Sequence, residues 1–271
     1  MKYDSEKSIE FVAILDVVFV ILLMLSGSIS GIMSSIVYVI AFIAPILIGF
    51  YFTRENNNYK DFLRIKGVEQ SLAFVFPVIG AVMLLSFLTS FVIGLVSEKS
   101  NAIDLGDNLI LAILSHALVT AVFEEALFRL IPMRAMRGKS FATVILYSAL
   151  FFALIHHSFF SMPYAFVAGA VFMFIDLVFD SVWPSVIIHF LNNSLSVLLI
   201  FYGNSQLFLW ITVGVIVVFT AISLFIIIKS SKYEKIREKI TALKGMKLSP
   251  TNAVWILAIP MIFLAVMELA Q

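Results

Sequence analysis

The sequence has 271 residues, of which 62% are hydrophobic and only 13% are charged, and its formal net charge is +1. A soluble domain is about half apolar and a quarter charged, so this composition excludes a soluble globular protein and indicates a polytopic membrane protein. The chain contains no cysteine, which excludes disulfides, thiol catalysis and thiolate metal sites.

Apolar runs of about 20 residues, long enough to cross a bilayer, follow one another along the chain. They predict helices at 11–27, 31–53, 71–97, 108–133, 141–161, 163–180, 183–203, 206–229 and 251–270. The ninth run is short and contains Pro260, so we expect an all-α fold, a polytopic transmembrane helix bundle of eight or nine helices, in a single integral-membrane domain over 1–271. The basic segment 230–246 has apolar residues at helical spacing and predicts either a membrane-surface helix or a solvated loop helix.

The distribution of Lys and Arg predicts the orientation. Basic residues precede the first helix, separate the second from the third, follow the fourth and separate the eighth from the ninth, whereas the opposite loops carry only Lys99. The positive-inside rule therefore predicts a protein of the cell membrane with its N-terminus in the cytoplasm.

Ionisable and amide side chains interrupt four of the apolar runs. Charged residues inside a membrane are costly and usually functional. The residues concerned are His116, Glu124, Glu125 and Arg129 in the fourth helix, His156 and His157 in the fifth, Asp176 in the sixth, and His189, Asn192 and Asn193 in the seventh.

Helix geometry sorts the residues of the fourth helix. Glu125 and Arg129 are four positions apart, so they share a face and can form an ion pair. Glu124 points about 100° away from Glu125 and faces a different neighbour.

The same reasoning applies to the seventh helix. His189 and Asn193 are four positions apart and project to one side, and we expect Asn192 to point elsewhere. Depths counted at about 1.5 Å per residue bring Glu124, His156 and His189 together in the cytoplasmic half of the bundle.

A carboxylate, two imidazoles and a carboxamide in one dry cavity suit hydrolysis. Glu124 can take a proton from water while one histidine orients that water. The other histidine and the asparagine can donate hydrogen bonds to the oxyanion of a tetrahedral intermediate. We expect Asp176 to have a structural or helper role, and His116 and His157 to be neighbours of the site.

Three motifs carry a family resemblance. Glu124-Glu125 with Arg129 is similar to an EExxxR motif, Phe152 with His156 to FxxxH, and His189 with Asn193 to HxxxN. In order, spacing and helix placement these motifs resemble those of the CPBP family, the CAAX proteases and bacteriocin-processing enzymes. The resemblance implies a protease core at about 71–202, with peripheral helices at about 11–53 and 206–270.

The resemblance implies an intramembrane endopeptidase that is similar to the CAAX prenyl protease. That enzyme removes the last three residues from a prenylated C-terminal Cys-aliphatic-aliphatic-X tail. If the family's motif roles apply to the matching positions, Glu124 is the general base and His156 is its partner in activating water. His189 and Asn193 then form the oxyanion hole.

Glu125 and Arg129 become supporting residues, and His157 is the alternative to His156. We expect no cofactor. Zinc bound by Glu124, His156 and His189 is the alternative, although no HExxH motif is present.

The expected partners are membrane lipid and a prenylated or lipid-embedded peptide or protein, and nothing indicates nucleic acid. Two other functions stay open: a non-proteolytic member of the same fold, such as a bacteriocin immunity factor or scaffold, and an ion-coupled transporter. The sequence leaves the natural substrate and the oligomeric state undetermined.

Overall fold

The structure is a computed structural model, and it describes residues 7–30, 32–54, 62–94, 105–156, 161–243, 247–248 and 258–259. Within these residues, seven helices are long and apolar enough to cross a membrane, as their length and composition indicate. The predicted all-α polytopic bundle is confirmed, and the protein is an integral membrane protein.

The helices follow the predicted order. They are α1 Ser8–Ser28, α2 Ile32–Phe52, α3 Val68–Gly94, α4 Leu109–Ala135, α5 Phe141–Leu154, α6 Met162–Phe179, α7 Trp183–Tyr202, α8 Gln206–Lys229 and α9 Glu234–Leu243. Helix α9 lies in the basic segment, and Ile236 on its apolar face is buried against the bundle. The predicted helix 251–270 lies outside the described residues, apart from 258 and 259.

The fifth helix is shorter than predicted. We expected 141–161, but α5 ends at Leu154 and His156 lies in the turn that follows. The prediction was wrong because Ile155, Phe159 and Phe160 extend the apolar pattern past Leu154, and no glycine or proline marks a helix end before Pro163. The 14 residues of α5 extend about 21 Å at about 1.5 Å per residue, less than the roughly 30 Å of a hydrocarbon core.

Helices α5 and α6 form an antiparallel hairpin whose backbones approach closely. A Cβ added at Gly169 of α6 would lie 3.2 Å from both the Cα atom of Ala149 and a ring carbon of Phe152 on α5. The missing side chain therefore brings the two helices together and fixes Phe152, whose ring contacts the residues of the site. Helix α4 packs against α7, and α3 packs against α6, α7 and α8.

Candidate active site

Helix α4 places its two adjacent glutamates in different surroundings. Glu125 is fully buried and forms an ion pair with Arg129, with 3.1 Å between Oε2 of Glu125 and Nε of Arg129. This is the pair that the spacing predicts. The carboxylate of Glu124 is 15% exposed and lines a cavity. The two carboxylates are therefore separated by the geometry of one helix, with one paired and one facing open space.

The turn that carries Arg129 is widened, and Pro132 explains why. Proline has no N–H, so the carbonyl oxygen of Phe128, four residues earlier, has no donor of the α-helical i+4 type. The hydroxyl of Ser148 on α5 donates to this oxygen at 2.6 Å, and Nη1 of Arg129 donates to it at 3.2 Å. Residues Ala126–Leu130 form a π-helical turn, a feature frequent at functional sites.

His189 on α7 lies between the two glutamates. Its Nδ1 atom is 2.7 Å from Oε1 of Glu125, and its Nε2 atom is 3.8 Å from Oε2 of Glu124. Only 5% of His189 is exposed. Since Glu125 also contacts Arg129, a continuous chain of polar contacts runs from Arg129 through Glu125 and His189 to Glu124.

Two phenylalanine rings pack against Arg129 and His189, two members of this series of polar contacts. The ring of Phe152 lies 4.4 Å from the guanidinium carbon of Arg129 and 6.0 Å from the ring of His189. The ring of Phe172 lies 5.5 Å from both groups. Aromatic faces attract cations and exclude water, so the rings stabilise the buried charge of Arg129 and keep the histidine ring in place.

His156 lies in the turn after α5 and lines the same cavity. Its Nδ1 atom is 2.8 Å from the carbonyl oxygen of Phe152. A carbonyl oxygen only accepts, so Nδ1 carries a proton and Nε2 of the neutral ring is an acceptor. His157, the predicted alternative, lies outside the described residues.

Helix α7 presents both asparagines to the cavity. Asn193 lies there as expected, but the prediction that Asn192 points elsewhere was wrong, because it also lines the cavity. The residues at 189, 192, 193 and 196 follow the i, i+3, i+4, i+7 pattern of a single helix face. The Nδ2 atom of Asn192 donates to Oδ1 of Asn193 at 3.4 Å.

The four predicted catalytic residues line one cavity of about 290 Å³. Its wall also includes hydroxyl groups that no local pattern indicates, because they are scattered over four helices. The lining residues that carry polar groups are Ser86, Thr120, Glu124, His156, Tyr164, His189, Asn192, Asn193 and Ser196.

The remaining ionisable residues lie outside this cavity. The carboxylate of Asp176 accepts hydrogen bonds from the backbone N–H of Ser185 at 3.0 Å and from its hydroxyl at 2.6 Å, which holds the first turn of α7 against α6. His116 is exposed. Asp16 on α1 was not selected from the sequence, yet it is fully buried and interacts electrostatically with Arg129. A lone acid in a membrane helix was the available signal.

The alternative of a zinc ion requires three ligands at one point. Among the residues that the structure describes, no three histidine or acidic side chains are grouped so that they could hold a metal ion. The Nδ1 contacts of His156 and His189, with a carbonyl and with Glu125, are of a kind that metal-bound histidines also make. Metal dependence therefore stays a prediction: we expect no cofactor, and zinc bound by Glu124, His156 and His189 is the alternative.

Comparisons with known proteins identify the segment that contains the site. Residues 106–195, about a third of the chain, match the family model described as Type II CAAX prenyl endopeptidase Rce1-like. The matched segment extends from just before α4 into α7 and includes every predicted catalytic residue. No curated protein and no solved structure matches the chain. The family match confirms the resemblance that the three motifs indicate.

Proposed function

We propose that this chain, whose residues 106–195 match the family model described as Type II CAAX prenyl endopeptidase Rce1-like, is an intramembrane endopeptidase that uses a glutamate-activated water. One observation carries the proposal. Glu124, His156, His189 and Asn193 come from three separate parts of the chain and line a single cavity within an apolar bundle.

The first step is activation of water. Among the described residues that line the cavity, Glu124 alone has a carboxylate, so it is the group that takes a proton as the water oxygen attacks the peptide carbonyl carbon. Nε2 of His156, an acceptor in the neutral ring, accepts the other hydrogen of that water and orients it. The carbonyl π electrons move to the oxygen, and a tetrahedral intermediate forms.

The second step is stabilisation and collapse of that intermediate. Its oxyanion accepts hydrogen bonds from Nδ2 of Asn193 and from Nε2–H of protonated His189. The C–N bond then breaks, and the proton held by Glu124 passes to the leaving nitrogen. The products are a carboxylic acid and an amine, and Glu124 is returned to its starting form.

Glu125 holds His189 in the orientation that this role requires. Its Oε1 atom is 2.7 Å from Nδ1 of the ring, so Nε2–H is aimed at the cavity. Arg129 is in turn the buried ion-pair partner of Glu125. We therefore assign Glu125 and Arg129 as positioning residues.

The proposed substrate is a prenylated CAAX-type peptide, the class in the family description. An apolar pocket of about 370 Å³ adjoins the cavity and shares Val82 and Ala168 with it. Its other lining residues include Phe74, Val171 and Phe174, so an aliphatic chain attached near the scissile bond has an apolar surface to cover.

The test is cleavage of a farnesylated CAAX peptide by the purified protein. We expect Glu124→Gln, His156→Ala and His189→Ala to lose at least about 100-fold in kcat/KM, the lower range for general acid–base groups. Asn193→Ala is expected to lose a similar factor as an oxyanion donor. His116→Ala is the matched control, because His116 is exposed and does not line the cavity. Full activity in folded Glu124→Gln would contradict the proposal.

A further inference from the structure

A second cavity lies where the loop between α4 and α5 meets the end of α6. Its volume is about 630 Å³, and its wall also includes the segment before α3 and helix α9. None of the described residues of its wall lines the cavity around Glu124. We call it the basic pocket, because five of its side chains are basic: Arg64, Lys66, Arg137, Lys139 and Lys239.

The fold gathers these charges from three separate segments of the chain. A bias of Lys and Arg toward one membrane face explains the end of the bundle on which they lie, but not their position around one cavity. Among the described residues of the wall, Asp180 alone is acidic, so the wall has a formal charge of +4. Like charges around one cavity repel one another, and a bound anion offsets that repulsion.

A neighbouring arginine shows how this protein neutralises a basic side chain that has an internal role. Arg134 is buried and donates to the hydroxyl of Thr53 at 2.8 Å and to its carbonyl oxygen at 3.2 Å. By contrast, Lys66, Arg137 and Lys139 form no ion pair with any carboxylate in the part of the chain that the structure describes. Their charge is therefore available to a ligand of the basic pocket.

Hydrogen bonds fix the backbone of the two segments that carry most of the basic residues. The carbonyl oxygens of residues 62–64 accept hydrogen bonds from the turn between α6 and α7. The donors are the N–H of Val182 at 3.0 Å, the indole of Trp183 at 2.8 Å and the hydroxyl of Ser181 at 2.8 Å. In the other segment, the N–H of Lys139 donates to the carbonyl oxygen three residues earlier at 3.0 Å. A site with an ordered backbone loses little conformational freedom when a ligand binds.

The basic pocket has an apolar floor and a charged rim. Met133, Met136 and Val144 in its wall are buried, whereas Lys66 and Arg137 are exposed. Its volume is in the range of small-molecule sites, which are usually apolar with a few polar groups that fix orientation. A free phosphate ion contacts only the rim. A phosphate that carries a glycerol unit and a hydrocarbon chain also covers the floor.

Two aromatic rings separate the basic pocket from the apolar pocket that adjoins the candidate active site. Phe141 lines the basic pocket and Phe174 lines the apolar pocket. Their ring centroids are 5.9 Å apart, in an edge-to-face arrangement. Nζ of Lys239 lies 5.3 Å from the centroid of the Phe141 ring. A ligand of the basic pocket therefore occupies a different space from the aliphatic chain of the proposed substrate.

The basic pocket lies where the apolar helices end. Helix α4 ends at Ala135, α5 begins at Phe141 and α6 ends at Phe179, so the pocket is at the level of the lipid headgroups. We propose that it binds the phosphate headgroup of an anionic phospholipid of the surrounding membrane. Basic pockets between membrane helices bind such headgroups. A zwitterionic lipid has an ammonium group close to its phosphate, and the +4 wall disfavours that group. The proposal does not depend on hydrolysis at Glu124.

Native mass spectrometry of the full chain in detergent tests the proposal, because it resolves the binding of single lipid molecules. Dioleoylphosphatidylglycerol is titrated against the wild type and against Arg137→Gln/Lys139→Gln. Dioleoylphosphatidylcholine is the zwitterionic comparison. The matched control is Arg54→Gln/Lys229→Gln, which also removes one arginine and one lysine charge, at exposed positions that do not line the basic pocket.

We expect Arg137→Gln/Lys139→Gln to bind phosphatidylglycerol at least about tenfold more weakly than the wild type, since each basic side chain contributes to the attraction. The control variant is expected to bind it as the wild type does. Arg64→Gln/Lys66→Gln removes the same charges from the other segment and should show the same loss, so the result does not depend on the folding of one variant. Equal losses in the pocket and control variants would overturn the proposal, and so would equal binding of the two lipids by the wild type.

Glycerol 3-phosphate distinguishes a lipid headgroup from a soluble phosphate compound. It has the same phosphate and glycerol groups as the lipid but no hydrocarbon chain. At the same concentration as the lipid, we expect it to leave bound phosphatidylglycerol in place on the wild type. Displacement of the lipid under these conditions would assign the basic pocket to a soluble phosphate compound and overturn the proposal.

Discussion

Glu125 lies in the middle of the series of polar contacts from Arg129 to Glu124, so Glu125→Gln is the most informative substitution. Glutamine has nearly the same shape as glutamate but is uncharged, and it has one oxygen where the carboxylate has two. In the structure the two oxygens of Glu125 have different partners, Nδ1 of His189 at 2.7 Å and Nε of Arg129 at 3.1 Å. Whichever way the amide is turned, its NH₂ group faces one of these two N–H donors.

The magnitude follows from the contacts that are lost. A hydrogen bond to a charged group contributes about 1.5–3 kcal/mol. At about 1.4 kcal/mol per factor of ten, this corresponds to a loss of about 10- to 100-fold in kcat, because the Nε2–H of His189 is no longer aimed at the oxyanion. Arg129 also loses its ion-pair partner while fully buried, and breaking a buried pair costs about 3–5 kcal/mol of stability.

Steady-state kinetics with the farnesylated CAAX peptide separate these effects. The change is expected in kcat, with KM altered by no more than about threefold, since Glu125 does not line the cavity. Activity is normalised to the folded fraction that elutes as a single peak in detergent. Glu69→Gln is the control, because it makes the same chemical change at an exposed carboxylate, which pairs with Lys232 at 2.9 Å. A folded Glu125→Gln protein with unchanged kcat would refute the positioning role of Glu125.

Three further predictions follow from the same contacts. Asp16→Asn removes the carboxyl group of α1 that interacts electrostatically with Arg129. In a double-mutant cycle, its effect on kcat should therefore be non-additive with that of Glu125→Gln by at least about 0.5 kcal/mol. Additive effects would show that α1 is not coupled to the site. Ser148→Ala removes the 2.6 Å hydrogen bond to Phe128 and should lower the free energy of unfolding by about 1–3 kcal/mol, measured by denaturant titration in detergent, and an unchanged midpoint would contradict this. A metal chelator should leave peptide cleavage unchanged, because the proposed reaction activates water with Glu124 and His156 alone; inhibition that zinc reverses would favour the zinc alternative.

The sequence predicts the parts of this molecule that depend on local pattern. Long apolar runs identify the membrane helices because a bilayer requires about 20 apolar residues in succession. The spacing of Glu125 and Arg129 predicts their ion pair because both partners lie on one helix. The three motifs lie on or next to three of the helices that line the cavity, although α3 and α6 also line it and the roles of Glu124, His156, His189 and Asn193 stay predictions.

Other features depend on contacts between helices, which spacing does not encode. The end of α5 was missed because no glycine or proline follows Leu154 before Pro163. The direction of Asn192 was predicted wrongly because adjacent helix residues point about 100° apart, and we took this to exclude Asn192 from the cavity. The cavity is wide enough for both asparagines to line it. Asp16 lies 113 residues before Arg129, and no local pattern connects them.

The short α5 links the fold to the proposed chemistry. Hydrolysis within a bilayer requires water and a peptide in extended form, since a helix keeps its carbonyl groups in its own hydrogen bonds. An extended segment in lipid would leave those groups without partners, at a cost of several kcal/mol each. Helix α5 ends at Leu154, and the cavity that His156 lines is also lined by amides and hydroxyls, including Asn192, Asn193 and Ser196. These groups can form hydrogen bonds with an extended backbone next to Glu124. The early end of α5 thus places His156 in the turn that lines the cavity, beside the polar groups that a scissile peptide needs.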